Sequence, residues 1–314
     1  MTPAERDRVG VLVMAYGTPA GPDQLEAYYT HIRRGRPPGD ELLEELRARY
    51  RSIGGSSPLL EITRAQVDGI ARELAAGGCE FEIALGMKHA PPFIEDGVRE
   101  LLDRGVSRLV GVVLAPHYSR MSIGEYEQRV LAAARSAPQP PSVDVVHSWH
   151  LAADYLQLLA REVRASLATL SRAAQGEAHV LFTAHSLPER ILADGDHYPD
   201  QLRETAAAVA GLAGLQHFQT AWQSAGRTPE PWIGPDVLET IERLAAGGVS
   251  AVVVCPCGFV SDHLEVLYDL DIEARDRAVE LGVEFVRTAS PNAAPELARS
   301  VAGAVLDELR VPTR

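Results

Sequence analysis

The chain has 314 residues, 46% hydrophobic and 23% charged, an ordinary balance for a soluble globular protein of about two domains. Its formal net charge of -13 argues against nucleic acid or an anionic membrane as a partner. No apolar run approaches transmembrane length, the opening MTPAERDRVG has no signal-peptide core, and three cysteines suit a reducing cytosol better than a disulfide framework. The expectation is a cytoplasmic protein without stable membrane association.

In chain order, strand 9–15 is followed by helices 41–50 and 62–75, strand 81–86 by helix 93–104, strand 108–115 by helix 126–136, and strand 142–146 by helix 153–170. The second half repeats the alternation: strand 179–184 with helix 201–210, strand 217–222 with helix 236–246, strand 251–255 with helix 272–281, then strand 283–286 and a last helix over 295–309. Alternation at this spacing predicts an α/β protein with two four-stranded parallel sheets, joined by right-handed crossovers and flanked by helices. The boundary falls near His150, after the Pro-rich AAARSAPQPPS, which divides the chain into 1–150 and 151–314; the last helix can pack on either half.

Polar residues collect at the predicted strand ends. The first strand ends in MAYGTP and places Tyr16 at its tip; the fifth ends in TAHSLPER and places His185 at its tip. Thr18-Pro19 and Ser186 with Pro188 and Glu189 read as helix starts, the latter as a capping box. A strand-end histidine is often structural, but the tip of a parallel strand is also where a base or metal ligand sits. Met87-Lys88-His89 and Pro116-His117-Tyr118 close two more strands.

His31-Ile-Arg33-Arg34-Gly-Arg36 reads as a compact cationic loop in an acidic protein, and Arg49-Tyr50 and Gly-Gly-Ser56-Ser57 follow it with hydroxyls. Arginine forks and hydroxyls of this kind bind carboxylates. The Gly-Gly-Ser-Ser run lacks the Lys and spacing of a phosphate-binding loop. Trp222 and Trp232 bracket a turn-rich loop that suits a wall for a flat ligand, or simply a long connection pinned by a ring. Cys255 and Cys257 are too close for a zinc pair and read as buried.

After the buried run 249–254, Pro256 and Gly258 break the strand, and Asp262 with Glu265 has capping-box spacing. Glu265, Asp269 and Glu273 are four apart and stack on one helical face. They suit a solvated face equally well. Their place beyond a parallel strand's C-terminal end suggests hard oxygen ligands that pass a divalent cation inward.

Taken together and in order, GVLVMAYGTP, YYTHIRRGR, RYRSIGGSSPL, MKHAPPFIEDGV, LAPHYSRMS, TAHSLPERI, AWQSAGRTPEPWIGPD and GFVSDHLEVLYDLDIE resemble the ferrochelatases, over nearly the whole chain. The resemblance implies a chelatase fold: two Rossmann-like domains enclosing a cleft where Fe2+ is inserted into a porphyrin. The motif with Tyr16 resembles the bacterial branch acting on coproporphyrin III, and Tyr16 is then the axial ligand of product iron. By the same resemblance Arg33, Arg49, Tyr50, Ser57 and Tyr126 hold the porphyrin and its propionates, His185 and Glu265 form the metal site, and Asp269 and Glu273 mark a metal path. If the cleft lies between the halves, Tyr16 and His185 face opposite sides of the macrocycle. The chain has no counterpart of the cluster-bearing C-terminal extensions of animal and actinobacterial relatives. A monomer without an iron–sulfur cluster is therefore expected, with coproporphyrin III and Fe2+ as its partners. Alternatives of related chemistry are a protoporphyrin IX ferrochelatase and a sirohydrochlorin chelatase; a non-catalytic tetrapyrrole or iron carrier needs the arginines and Tyr16 but not the acid row.

Overall fold

A computed structural model describes residues 8–78, 80–226 and 228–310; Cys79 and Arg227, which belong to features discussed above, lie outside them. The chain divides into two compact units. Unit 1 comprises the chain up to Ala115, Ser122–Trp149 and the chain from Asn292; unit 2 comprises Pro116–Met121 and His150–Pro291.

Unit 1 is built on β1 (Val9–Ala15), β2 (Phe81–Met87), β3 (Arg108–Val113) and β4 (Ser142–Val146), parallel and ordered β2-β1-β3-β4. The central β1 reads VGVLVMA and is buried almost throughout, because helices cover both faces of a parallel sheet and leave no wet side. Those helices include α1 (Leu25–Ile32), α2 (Asp40–Ser52), α3 (Leu59–Ala76), α4 (Ile94–Asp103) and α5 (Ile123–Arg135). Unit 2 repeats the plan with β5 (His179–His185), β6 (Phe218–Gln223), β7 (Ala251–Cys255) and β8 (Glu284–Arg287), ordered β6-β5-β7-β8 and parallel. Its helices are α6 (Ala153–Thr169), α7 (Arg190–Ala193), α8 (Tyr198–Ala213), α9 (Val237–Ala246) and α10 (Arg275–Glu280). The last helix, α11 (Pro295–Arg310), packs on α3, β3 and β4 of unit 1. In both sheets the first strand is central, so Tyr16 and His185 occupy equivalent strand ends.

Four local expectations change. The stretch before the arginines, read as part of a loop, is helical as α1, and the loop proper begins at Arg33, where the helix is capped. Thr18 does not start a helix; its Oγ1 lies 3.3 Å from the Tyr50 hydroxyl, and the next helical turn begins at Pro22. Nor does Ser186 cap α7. Its hydroxyl donates to the Ile233 carbonyl at 2.7 Å, because segment 186–189 is laced to 231–233 through Glu189 N–H to Pro231 O and Ile233 N–H to Leu187 O, both 2.9 Å. Backbone pairing between two neighbouring segments has displaced the local cap. Finally, the acid-rich stretch is not an α-helix: Val266–Ala274 forms a π-helix, with α10 continuing from it.

β7 leads into the loop carrying Gly258, whose N–H donates to Thr183 O at 2.9 Å. A Cβ on Gly258 would lie 2.4 Å from Ala184 Cβ and 2.6 Å from its Cα, immediately before His185. The loop therefore lies directly against the end of β5, and only glycine fits. Gly258→Ala is expected to cost about 1–3 kcal/mol by overpacking. Gly211→Ala, in α8 with nothing within 4 Å of the added carbon, is expected to be neutral or slightly stabilising. Urea unfolding of both variants checks the contrast.

Candidate active site

In unit 2, β5 carries His185 to the C-terminal end of the sheet. The buried Tyr198 hydroxyl donates to the His185 carbonyl at 2.9 Å and fixes the backbone there. His185 Nδ1 lies 2.5 Å from the Ser186 carbonyl. A carbonyl can only accept, so Nδ1 carries the proton, and Nε2 of the neutral ring presents its lone pair. That nitrogen faces Glu265 Oε1 at 3.6 Å, an ion-pair distance too long for a formed hydrogen bond. Burial pushes the His185 imidazole down. The Glu265 carboxylate, the Ser186 carbonyl and the charge of Asp269 outweigh burial, and the net direction is up.

Glu265 follows the β7 loop at the entry to the π-helix. Its N–H donates to His263 Nδ1 at 3.1 Å. Burial holds His263 below its ordinary value despite the carboxylates around it, which suits an acceptor nitrogen. The Phe259 ring packs against His263 and His185 at centroid distances of 5.0 and 6.5 Å, and Trp232 lies 6.4 Å from His185. A Cβ on Gly226 would fall 2.3 Å from the Trp232 ring, so this wall rests directly on backbone. Asp269, one turn beyond Glu265, is buried, and Ser224 Oγ donates to its Oδ2 at 2.5 Å. Ser224 has φ 60°, a left-handed conformation unusual for a non-glycine residue. Glu273, further along, is partly exposed. The acid row is therefore not one solvated face.

Unit 1 holds the other candidates. Tyr16 is 44% exposed at the end of β1. The His89 ring packs 4.6 Å from it, and the His89 N–H donates to the Tyr16 carbonyl at 2.9 Å. His89 and His31 meet Nδ1 to Nδ1 at 3.0 Å, so one of them must donate. Burial first, then the charges of Lys88, His31 and Arg129, push His89 down to about 3, which keeps it neutral. Lys88 Nζ binds Glu125 at 2.6 Å and lies 5.1 Å from the centre of the Tyr126 ring. Tyr126 and Tyr50 are both buried, so neither presents a ring face to solvent, and burial raises the Tyr126 phenol. Arg33 is exposed; Arg49 is partly exposed and lies 3.7 Å from Glu45; Ser57 Oγ accepts the Leu59 N–H at 3.3 Å.

Thus His185 and Glu265 come together at 3.6 Å, whereas the six unit 1 candidates lie on two helices, Arg49 and Tyr50 on α2 and Tyr126 on α5, and in the loops after β1, α1 and α2. Sequence reasoning assigned no role to His263, Ser224 or His89. A residue that orients a neighbour's backbone, as His263 does, leaves no periodic signal. Among the described residues no group of three or more His, Cys, Asp or Glu side chains gathers as a metal cage.

The ferrochelatase family model matches residues 8–309. The coproporphyrin III ferrochelatase of Geobacillus kaustophilus (strain HTA426) is 46% identical over 300 residues, covering 95% of each chain. The protein of that name from Anoxybacillus flavithermus (strain DSM 21510 / WK1) is 45% identical over 305 residues, covering 96% of each. Among solved structures, the sirohydrochlorin chelatase SirB from Bacillus subtilis subspecies spizizenii, in complex with cobalt, superposes with a TM-score of 0.60 at 9% identity, covering 97% of each chain. That likeness concerns the fold alone, which is the chelatase fold.

A carboxylate beside an imidazole stabilises its protonated form, so the folded pKa of His185 lies above its unfolded value of about 6.5. The stabilisation this gives is fully present below that value and is lost as pH rises through the folded pKa. NMR titration of the ligand-free protein is expected to place His185 above about 6.5 and to move it down in Glu265→Gln. An unmoved titration in that variant would mean the pair is not coupled.

Proposed function

We propose a reaction from one premise: this chain belongs to the ferrochelatase family. The reaction is insertion of Fe(II) into coproporphyrin III, giving Fe-coproporphyrin III (coproheme) for haem biosynthesis. Identity above 40% to coproporphyrin III ferrochelatases along nearly the whole chain supports that substrate. The observation that carries the chemistry is the 3.6 Å approach of Glu265 to His185 Nε2.

A free-base porphyrin is flat, and its two inner N–H groups are far too weakly acidic to ionise at neutral pH. Insertion needs the ring buckled, a base for the departing protons, and ligands that replace water on Fe(II). His185 meets two of these needs. Its Nδ1–H, committed to the Ser186 carbonyl, leaves Nε2 free for a proton or for iron. Glu265 then compensates an imidazolium or binds the metal itself. Two such ligands leave the remaining positions on Fe(II) to water and then to the pyrrole nitrogens. Asp269 and Glu273 continue the row of carboxylates along the π-helix as a path for incoming iron.

In unit 1, Arg33, Arg49 and Ser57 act on the propionates, with Tyr50 and Tyr126 offering phenol groups. Binding at the rim supplies the energy for distortion at the centre. Tyr16 ligates the product iron. Its phenol must lose or share a proton first, since the ordinary pKa is about 10.

His185→Ala is expected to lower iron insertion by on the order of 10²–10⁴-fold, the usual contribution of a positioned base, while fluorescence titration still shows coproporphyrin III binding. Near-normal turnover would remove His185 from the mechanism. Tyr16→Phe keeps the ring and loses only the oxygen. It is expected to leave insertion largely intact and to change the absorption spectrum of the bound product; an unchanged spectrum would exclude Tyr16 as a ligand.

A further inference from the structure

Between Asp262 and Glu273 the chain carries five carboxylates: Asp262, Glu265, Asp269, Asp271 and Glu273. They would repel one another, and the π-helix that carries Asp269, Asp271 and Glu273 has a rare and weakly self-supporting geometry. A single cation answers two of them. Arg287, the last residue of β8, has only 13% of its side chain exposed. Its Nε and Nη2 grip the two oxygens of Asp271 at 2.6 and 2.8 Å, a bidentate fork. Its Nη1 reaches Asp262 Oδ1 at 3.2 Å and donates to the Thr288 carbonyl at 3.0 Å. Ser290 completes the knot: its Oγ donates to Asp262 Oδ1 at 2.8 Å and lies 3.2 Å from Arg287 Nη1.

One guanidinium therefore ties together residues on either side of Glu265 and Asp269. The line of contacts runs on to the reactive pair. Asp262 is followed directly by His263, whose Nδ1 accepts the Glu265 N–H, and Glu265 faces His185. We propose that Arg287 is a positioning residue for metal insertion, anchoring both ends of the carboxylate-bearing segment so that Glu265 stands at its distance from His185. The proposal rests on the reading of that pair as the metal site. Arg287 acts through this segment and takes no part in the chemistry itself.

The discriminating variant is Arg287→Lys, which keeps the charge and loses the fork, because an ammonium cannot bridge both carboxylates with planar geometry. A second variant, Arg287→Met with Asp271→Leu, replaces the partly buried ion pair by apolar packing, a change that is often neutral or stabilising for a buried pair. Circular dichroism and urea unfolding establish that each folds. Coproporphyrin III affinity is read by fluorescence quenching, and kcat and KM by anaerobic Fe(II) insertion. In both variants we expect porphyrin Kd and KM within about twofold of wild type and kcat reduced tenfold or more. Wild-type kcat in either folded variant would overturn the proposal. So would parallel loss of porphyrin affinity and kcat, which indicates general damage, or failure of both variants to fold, which makes Arg287 a folding residue. If the wild-type protein inserts iron and His185→Ala does not, while Arg287→Lys matches wild type, the positioning role alone falls.

Discussion

On the proposed mechanism, two groups that share a metal ion or a proton have to be held within a few ångströms of each other before either arrives, and in unit 2 that constraint falls on the ends of two adjacent parallel strands. β5 delivers His185 and β7 delivers the loop that leads to Glu265. The sheet sets the spacing of the strands, but not the direction of the side chains beyond them. Direction comes from Tyr198 on the His185 carbonyl, from the Ser186 carbonyl on Nδ1, and from His263 on the Glu265 N–H. Each is a bond to backbone or to a ring nitrogen.

The segment carrying Glu265 shows the cost of concentrating negative charge. Closely spaced carboxylates attract a divalent cation and destabilise the helix that bears them. The fold meets the second effect from outside the segment, through Arg287 on β8 and Ser224 on the Trp232 loop. Ser224 accepts a left-handed backbone while its hydroxyl serves Asp269, an arrangement sustained by surrounding contacts. Unit 1 solves a different problem. Next to Tyr16, His89 is held neutral, and the neighbouring Lys88 is matched by Glu125.

Much of the architecture was legible in the chain because parallel strands buried on both faces read as uninterrupted β-branched runs. β1, β4 and β7 have the bounds their apolar runs imply, and the matching strand orders follow from two equal sets of β–α alternation. Strand ends pointed separately to Tyr16 and His185, but only the family resemblance joined His185 to Glu265. Periodicity misjudged the acid row, since a four-residue spacing presupposes i→i+4 hydrogen bonds and says nothing of an i→i+5 ladder imposed by tertiary ties. It also passed over α1, where the arginines beyond the helix end resembled a loop. Arg287 was invisible for a simpler reason: its carboxylate partners lie 16 and 25 positions earlier, and no local pattern marks such a pairing.

The central claim is that this protein inserts iron into a porphyrin rich in propionates. Its most direct test compares kcat/KM for anaerobic Fe(II) insertion into coproporphyrin III and protoporphyrin IX, followed by the loss of the free-base spectrum. Coproporphyrin III carries four propionates and protoporphyrin IX two, and each charge-assisted hydrogen bond contributes about 1.5–3 kcal/mol. One additional bond already predicts an advantage of roughly tenfold or more for coproporphyrin III. Equal efficiency on both porphyrins, or a free-base spectrum that persists with either, would contradict the account.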